Sequence, residues 1–176
     1  SCFPKDIKAL NHIANKHKYK ARLLDAVDQV NESQKNILFK KIKSYYGSKL
    51  KGMTIAVWGI AFKPETDDIR YAPSINLIKK LTDAGVIVKA YDPVATLNND
   101  YKFKSSMYKE YNNALKAIKN ADALVICTEW KEFWSIDPLK LKNLLGSPVI
   151  FDGRNIYSPD VMKKQGITYI GIGSNN

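Results

Sequence analysis

Thr54-Ile-Ala-Val-Trp58 runs straight into Gly59-Ile-Ala-Phe-Lys-Pro-Glu-Thr-Asp-Asp-Ile-Arg70, an apolar run that breaks into a polar loop at a glycine. Five uncharged residues ended by a turn signal read as a buried strand. The same texture continues downstream, with a helix over Ser74–Ala84, a strand over Val86–Tyr91 and a helix near Tyr108–Lys119. It resumes with a strand over Ala123–Cys127, a short helix near Pro138–Leu145, and strands over Val149–Phe151 and Thr168–Ile170. Strands that alternate with helices imply a parallel sheet covered on both faces, an α/β Rossmann-like architecture. Asn98–Ser106 reads as a polar surface loop, and there is no internal repeat.

In such a sheet, ligands lie beyond the carboxyl ends of the strands. The loops that matter are therefore 59–70, 92–93, 128–134 and 152–155. The first holds a single glycine, so it is not the Gly-rich dinucleotide fingerprint, and a dinucleotide is not expected there in the usual Rossmann manner. Lys63 and Arg70 either hold phosphates at this strand end or pair with Asp67 and Asp68 to pin the loop.

Upstream of the sheet, residues 4–18 read as one helix, with Ile7, Leu10 and Ile13 on an apolar face. Residues 22–46 read as a second, longer helix with Leu24, Val27, Val30, Ile37, Leu38 and Ile42 at helical spacing. Two such helices cannot bury their stripes alone and need a partner surface. Gly47–Gly52 reads as a linker, which divides the chain into 1–50 and 51–176. The chain opens on Ser1-Cys-Phe-Pro-Lys-Asp6, with no Met and no signal pattern, as though cut from a larger protein. A helix N-terminus with Lys5 close by supplies the positive potential that gives a thiol thiolate character, which makes Cys2 a candidate nucleophile. The alternative is a capped helix with an incidental cysteine.

The formal charge of +11 arises from 28 cationic residues, of which only Arg22, Arg70 and Arg154 are arginine. Lysine serves wherever a solvated cation is enough, so the three planar guanidinium forks carry more information. Charge alone does not make a nucleic-acid binder, and the sequence shows neither a recognition helix nor a basic strand interleaved with aromatics. No apolar run approaches the ~20 residues of a membrane span. Cys2 and Cys127 form neither a disulfide framework nor metal-ligand spacing, which fits a reduced, cytoplasmic setting. Cys127 ends an apolar run and reads as buried and inert.

Several segments, in order, carry a resemblance: Cys2-Phe-Pro-Lys-Asp6, Val30-Asn31, Gly59-Ile-Ala-Phe-Lys63, Thr66-Asp-Asp-Ile-Arg70 with Pro73-Ser74, Tyr91-Asp-Pro93, Thr128-Glu-Trp130 and Phe151-Asp-Gly-Arg154. Together they resemble the nucleotide-sugar dehydrogenases of the UDP-glucose/GDP-mannose family, over essentially the whole chain. The resemblance implies NAD-dependent oxidation of UDP-glucose to UDP-glucuronate by two hydride transfers. It makes Cys2 the nucleophile of a thiohemiacetal and thioester, and Asp6 the carboxylate that serves thioester hydrolysis. It places Lys5 near the cofactor and Arg70 on the NAD phosphates, while Phe62, Lys63 and Arg154 hold the nucleotide sugar. It implies a homodimer through residues 22–46 and an NAD-binding domain upstream of Ser1, without which this chain is expected to be inactive. Arg22 has no counterpart. GDP-mannose and UDP-N-acetyl-hexosamine dehydrogenases are the enzymatic alternatives, and a nucleotide-binding module without chemistry is the non-enzymatic one.

Overall fold

The computed structural model describes residues 2–97, 101, 103 and 106–173, with side chains from residue 5 onward. Most of the expected 98–106 loop therefore lies outside the described residues. Six parallel strands form one sheet: β1 Thr54–Trp58, β2 Ile87–Tyr91, β3 Tyr108–Glu110, β4 Ala123–Ile126, β5 Val149–Asp152 and β6 Thr168–Gly171. Their spatial order is β3-β2-β1-β4-β5-β6. β1 lies between β2 and β4, in register Trp58 to Tyr91 on one side and Trp58 to Ile126 on the other. Chain direction away from β1 reverses between β1 and β4, which opens a crevice at their carboxyl ends.

The central strands β1, β4 and β5 are almost wholly apolar because both faces are covered. Ile55, Val57, Val88, Ala90, Val125 and Phe151 point into one core, and Ala56, Trp58, Leu124, Ile126 and Ile150 into the other. The first core is closed by α3 (Ile37–Tyr46) and α4 (Pro73–Asp83), the second by α5 (Ala114–Ile118), α7 (Pro138–Leu144) and α8 (Pro159–Lys164). A short α6 (Lys131–Trp134) follows β4 and stacks Phe133 on Trp58, ring centroids 4.8 Å apart. Ile42 is fully buried, and burying one such side chain contributes ~2 kcal/mol. α3 is thus part of the sheet domain's core.

Three expectations are corrected. The long helix over 22–46 is two helices, α2 (Arg22–Gln34) and α3, broken at Lys35-Asn36. Asn36 Nδ2 donates to the Glu32 carbonyl at 2.9 Å, while its own N–H bonds to Ser33 O at 3.1 Å, a tighter turn than the α-helix allows. The helix expected over 108–119 is strand β3 followed by α5, which is capped by the Asn113 side chain accepting from Leu115 N and Lys116 N. The linker 47–52 is a 3-10 turn over Gly47–Leu50 that buries Leu50. α1 (Cys2–Lys16) and α2 form an antiparallel pair joined by Lys8 and Glu32, 3.5 Å apart. α2 buries no residue completely, and Leu10, Ile13, Leu23 and Val30 are exposed. No helix among the described residues is long and apolar enough to cross a membrane.

Candidate functional site

The loop after β1 is fixed by a carboxylate. Asp92, at the end of β2, accepts from Ile60 N at 2.7 Å and Ala61 N at 3.1 Å through one oxygen, and from Val94 N and Ala95 N through the other. Trp130 Nε1 adds a fifth donor at 3.2 Å. Peptide N–H groups at this strand end are what a dinucleotide's pyrophosphate would need. Here Asp92 takes them, and Gly59 has a different task. Its φ is +89°, and a Cβ would stand 2.6 Å from the Thr128 backbone N, so the residue is glycine to let β1 and β4 loops close on each other. Thr128 Oγ1 seals that contact by donating 2.6 Å to Ala61 O. The residues around this turn do not fit a bound NAD.

The chain runs on from this closure to a cavity of about 370 Å³, lined by Phe62, Arg70, Cys127 and Arg154 from the strand-end loops and by Asn31 and Leu38 from the helices. Arg154 is held from three sides. Its Nε donates to the Cys127 carbonyl at 2.8 Å, its Nη2 donates to the Phe62 carbonyl at 3.1 Å, and the Glu129 carboxylate stands 3.0 Å from Nε. The Nε hydrogen is aimed at the carbonyl, so Glu129 acts on the guanidinium through charge. Asp152 positions the turn that carries Arg154, accepting from Arg154 N, Ile156 N and the Tyr169 hydroxyl. Burial, helped by Asp152, raises the Tyr169 phenol and keeps it a donor. Gly153 lies against α3: a Cβ there would meet Leu38 Cδ1 at 2.8 Å and Ile126 O at 2.9 Å.

The structure therefore brings Phe62, Arg70 and Arg154 to one cavity. Lys63 is exposed and lies over the Phe62 ring, 5.5 Å from its centroid. Arg70 points its fork at Asp68, with Nε–Oδ1 2.9 Å and Nη2–Oδ2 3.0 Å, so the loop-pinning pair is formed. Lys5 and Asp6 are exposed on the first turns of α1. Cys2 begins α1, but its side chain lies outside the described residues. Lys8, two turns along, sits 5.9 Å from the ring centroid of Tyr71, which lines the cavity. Cys127 is buried and its thiol is pushed up to about 12, mainly by desolvation.

Glu129 was hidden from sequence reasoning as a partner of Arg154 because the two are 25 positions apart; Thr-Glu-Trp directly after an apolar strand was the available signal. A larger hollow of about 810 Å³ lies between the helix joint and α4. Most of its charges are paired, Lys35 with Glu32 and Lys79 with Asp83 at 2.7 Å each, and Lys80 is bonded to the Asn36 amide, so it offers a ligand less than the strand-end cavity does.

Comparison with known proteins shows the family of the chain and the likeness of its fold. Residues 56–159 match the UDP binding domain of the UDP-glucose/GDP-mannose dehydrogenase family, and residues 1–33 match its central domain. A UDP-glucose 6-dehydrogenase of Pseudomonas aeruginosa is 40% identical, across 98% of this chain and 39% of the relative. The chain thus spans about two fifths of the length of the curated relatives it matches. Among solved structures, a UDP-glucose dehydrogenase from Pyrobaculum islandicum superposes with TM-score 0.80 at 24% identity, over 99% of this chain and 38% of that one. A UDP-D-ManNAc dehydrogenase from Pyrococcus horikoshii gives 0.74 at 27%, over 98% and 38%.

Proposed function

Since this chain belongs to the UDP-glucose/GDP-mannose dehydrogenase family, we propose that it is the nucleotide-sugar-binding part, together with the nucleophile helix, of an enzyme that oxidises UDP-glucose to UDP-glucuronate. The observation that carries this reading is the convergence of Phe62, Arg70 and Arg154 on one cavity at the β1/β4 crevice. Phe62 and Arg154 hold the nucleotide sugar from the cavity wall, and Lys63 reaches it from its exposed position over the Phe62 ring. The backbone carbonyls of Cys127 and Phe62 fix the plane of the Arg154 fork before the ligand arrives, so little rotamer freedom is lost on binding.

The oxidation needs NAD, and the β1 turn has no free N–H cradle for it. The chemistry assigned to this chain is covalent. The Cys2 thiolate adds to the C6 aldehyde, forming a C–S bond and moving the carbonyl electrons onto oxygen, which retains the reactive aldehyde. Once that centre is at the thioester level, water attacks the acyl carbon with Asp6 as the carboxylate that accepts its proton. The C–S bond breaks, the product leaves as a carboxylate and the Cys2 thiol is restored. Lys5 and Arg70 serve the cofactor's side of the site. Leu23 and Val30 are covered by a second copy of the chain, in a homodimer through residues 22–46; sedimentation at twice the mass of one chain is expected, and a monomer at tens of micromolar contradicts it.

Calorimetry of the chain with UDP-glucose, UDP-N-acetylglucosamine and GDP-mannose tests the substrate. UDP-glucose is expected to bind tightest, and preference for the N-acetylated sugar would favour the branch represented by the Pyrococcus enzyme. In the assembled enzyme, Cys2→Ala is expected to abolish UDP-glucuronate formation while leaving UDP-glucose binding within about threefold; a Cys2→Ala enzyme that still forms UDP-glucuronate would remove the covalent mechanism.

A further inference from the structure

Helix α2 holds two polar atoms that are shut away from solvent without a hydrogen-bond partner among the described residues, Oδ1 of Asp28 and Nδ2 of Asn31. Buried polar atoms of folded proteins are almost always bonded, so each exception asks for a cause. Helix formation does not supply one for Asn31, because asparagine competes with the helical backbone and weakens a helix interior. Packing does not supply one either, since no residue of α2 is fully buried. Position does. Asn31 shares the wall of the 370 Å³ cavity with Phe62, Arg70 and Arg154, whereas Asp28 is not part of that wall.

We propose that Asn31 is a ligand-contacting residue of this cavity, its carboxamide N–H donating to an oxygen of the bound nucleotide sugar. The inference rests on the UDP-sugar reading above and adds a helix-borne donor to it. Arg154 has spent Nε and Nη2 on backbone carbonyls and has its charge offset by Glu129, so it cannot satisfy every ligand oxygen that enters beside it. The terminal torsion of asparagine is broad, so the amide turns towards a ligand without leaving its rotamer well. Asn31 also stands in the last turn of α2, where its carbonyl accepts from Lys35 N at the helix break, so the break fixes the donor's height along the cavity wall.

This role has a signature that a structural role lacks. Asn31→Leu removes an unpaired buried amide from the ligand-free protein and a donor from the complex. The thermal midpoint without ligand is therefore expected to stay level or rise, while the Kd for UDP-glucose, measured calorimetrically on the same chain, weakens about tenfold, the worth of one hydrogen bond. Asn31→Asp keeps the shape and exchanges donor for acceptor, so it is expected to weaken binding at least as much, and it serves if the Leu variant does not fold. Parallel titrations with UDP locate the contact: a loss seen with both ligands places it on the nucleotide, and a loss seen with UDP-glucose alone places it on the sugar. Unchanged affinity in both variants overturns the proposal, as does a lowered ligand-free midpoint with affinity intact. A wild-type chain that binds neither UDP-glucose nor UDP removes the UDP-sugar reading itself, a result distinct from either.

Discussion

Cys127 lends its backbone carbonyl to Arg154, and burial outweighs the nearby guanidinium in setting the state of its thiol. Burial raises the Cys127 thiol to about 12, so at neutral pH it is a protonated, apolar wall residue. Below pH 9 both folded and unfolded chains keep this proton, and stability does not depend on it. Above pH 9 the unfolded chain releases the proton while the folded one retains it, so stability falls by up to about 1.4 kcal/mol per pH unit. Stability from urea unfolding between pH 9 and 10 is expected to fall more steeply with pH in wild type than in Cys127→Ala, which keeps only the slope from the tyrosines that burial also raises; equal slopes would place the thiol in a more solvated site. The inert character of Cys127 could be read from its apolar run. The Arg154–Glu129 pair could not, because the loops that carry it are brought together only when β4 and β5 align. Arg70 shows the opposite case: its partner Asp68 is two residues away, and the local pairing was legible as one of two readings.

Asn36 is the hinge point of the helical layer. Its Oδ1 accepts from Asn76 Nδ2 at 3.1 Å and from Lys80 Nζ, both on α4, while its Nδ2 takes the Glu32 carbonyl. One side chain thus ends α2 and ties the start of α3 to α4. Asn36→Ala is expected to cost ~1–2 kcal/mol in chemical unfolding with an unchanged denaturant slope; no loss would mean that the break is set by the Gly153–Leu38 contact instead. The apolar spacing from Leu24 to Ile42 hid the break, because Val30 and Ile37 are seven apart and stay in phase through it. β3 was hidden for a related reason. It is three residues long, and a helix signal at Asn113 lies close behind it. Strands β1, β4 and β5 were legible to within a residue or two, since central strands of a parallel sheet must be apolar on both faces.

The whole molecule arranges its chemistry by topology. All six strands point the same way, so every loop with a recognisable motif ends on one side of the sheet, and the β1/β4 reversal gathers Phe62, Arg70 and Arg154 there. The α/β class was legible from alternation alone. The cavity was not, because its second wall comes from α2 and α3, which sequence placed in a separate segment. The account stands on one claim, that a UDP-sugar occupies this cavity. Amide chemical-shift mapping by NMR with UDP-glucose tests it most directly. Perturbations are predicted at residues 31–38, 59–63, 127–130 and 153–155; perturbations confined to the α4 flank around Asn76–Asp83, or none at saturating ligand, would contradict it.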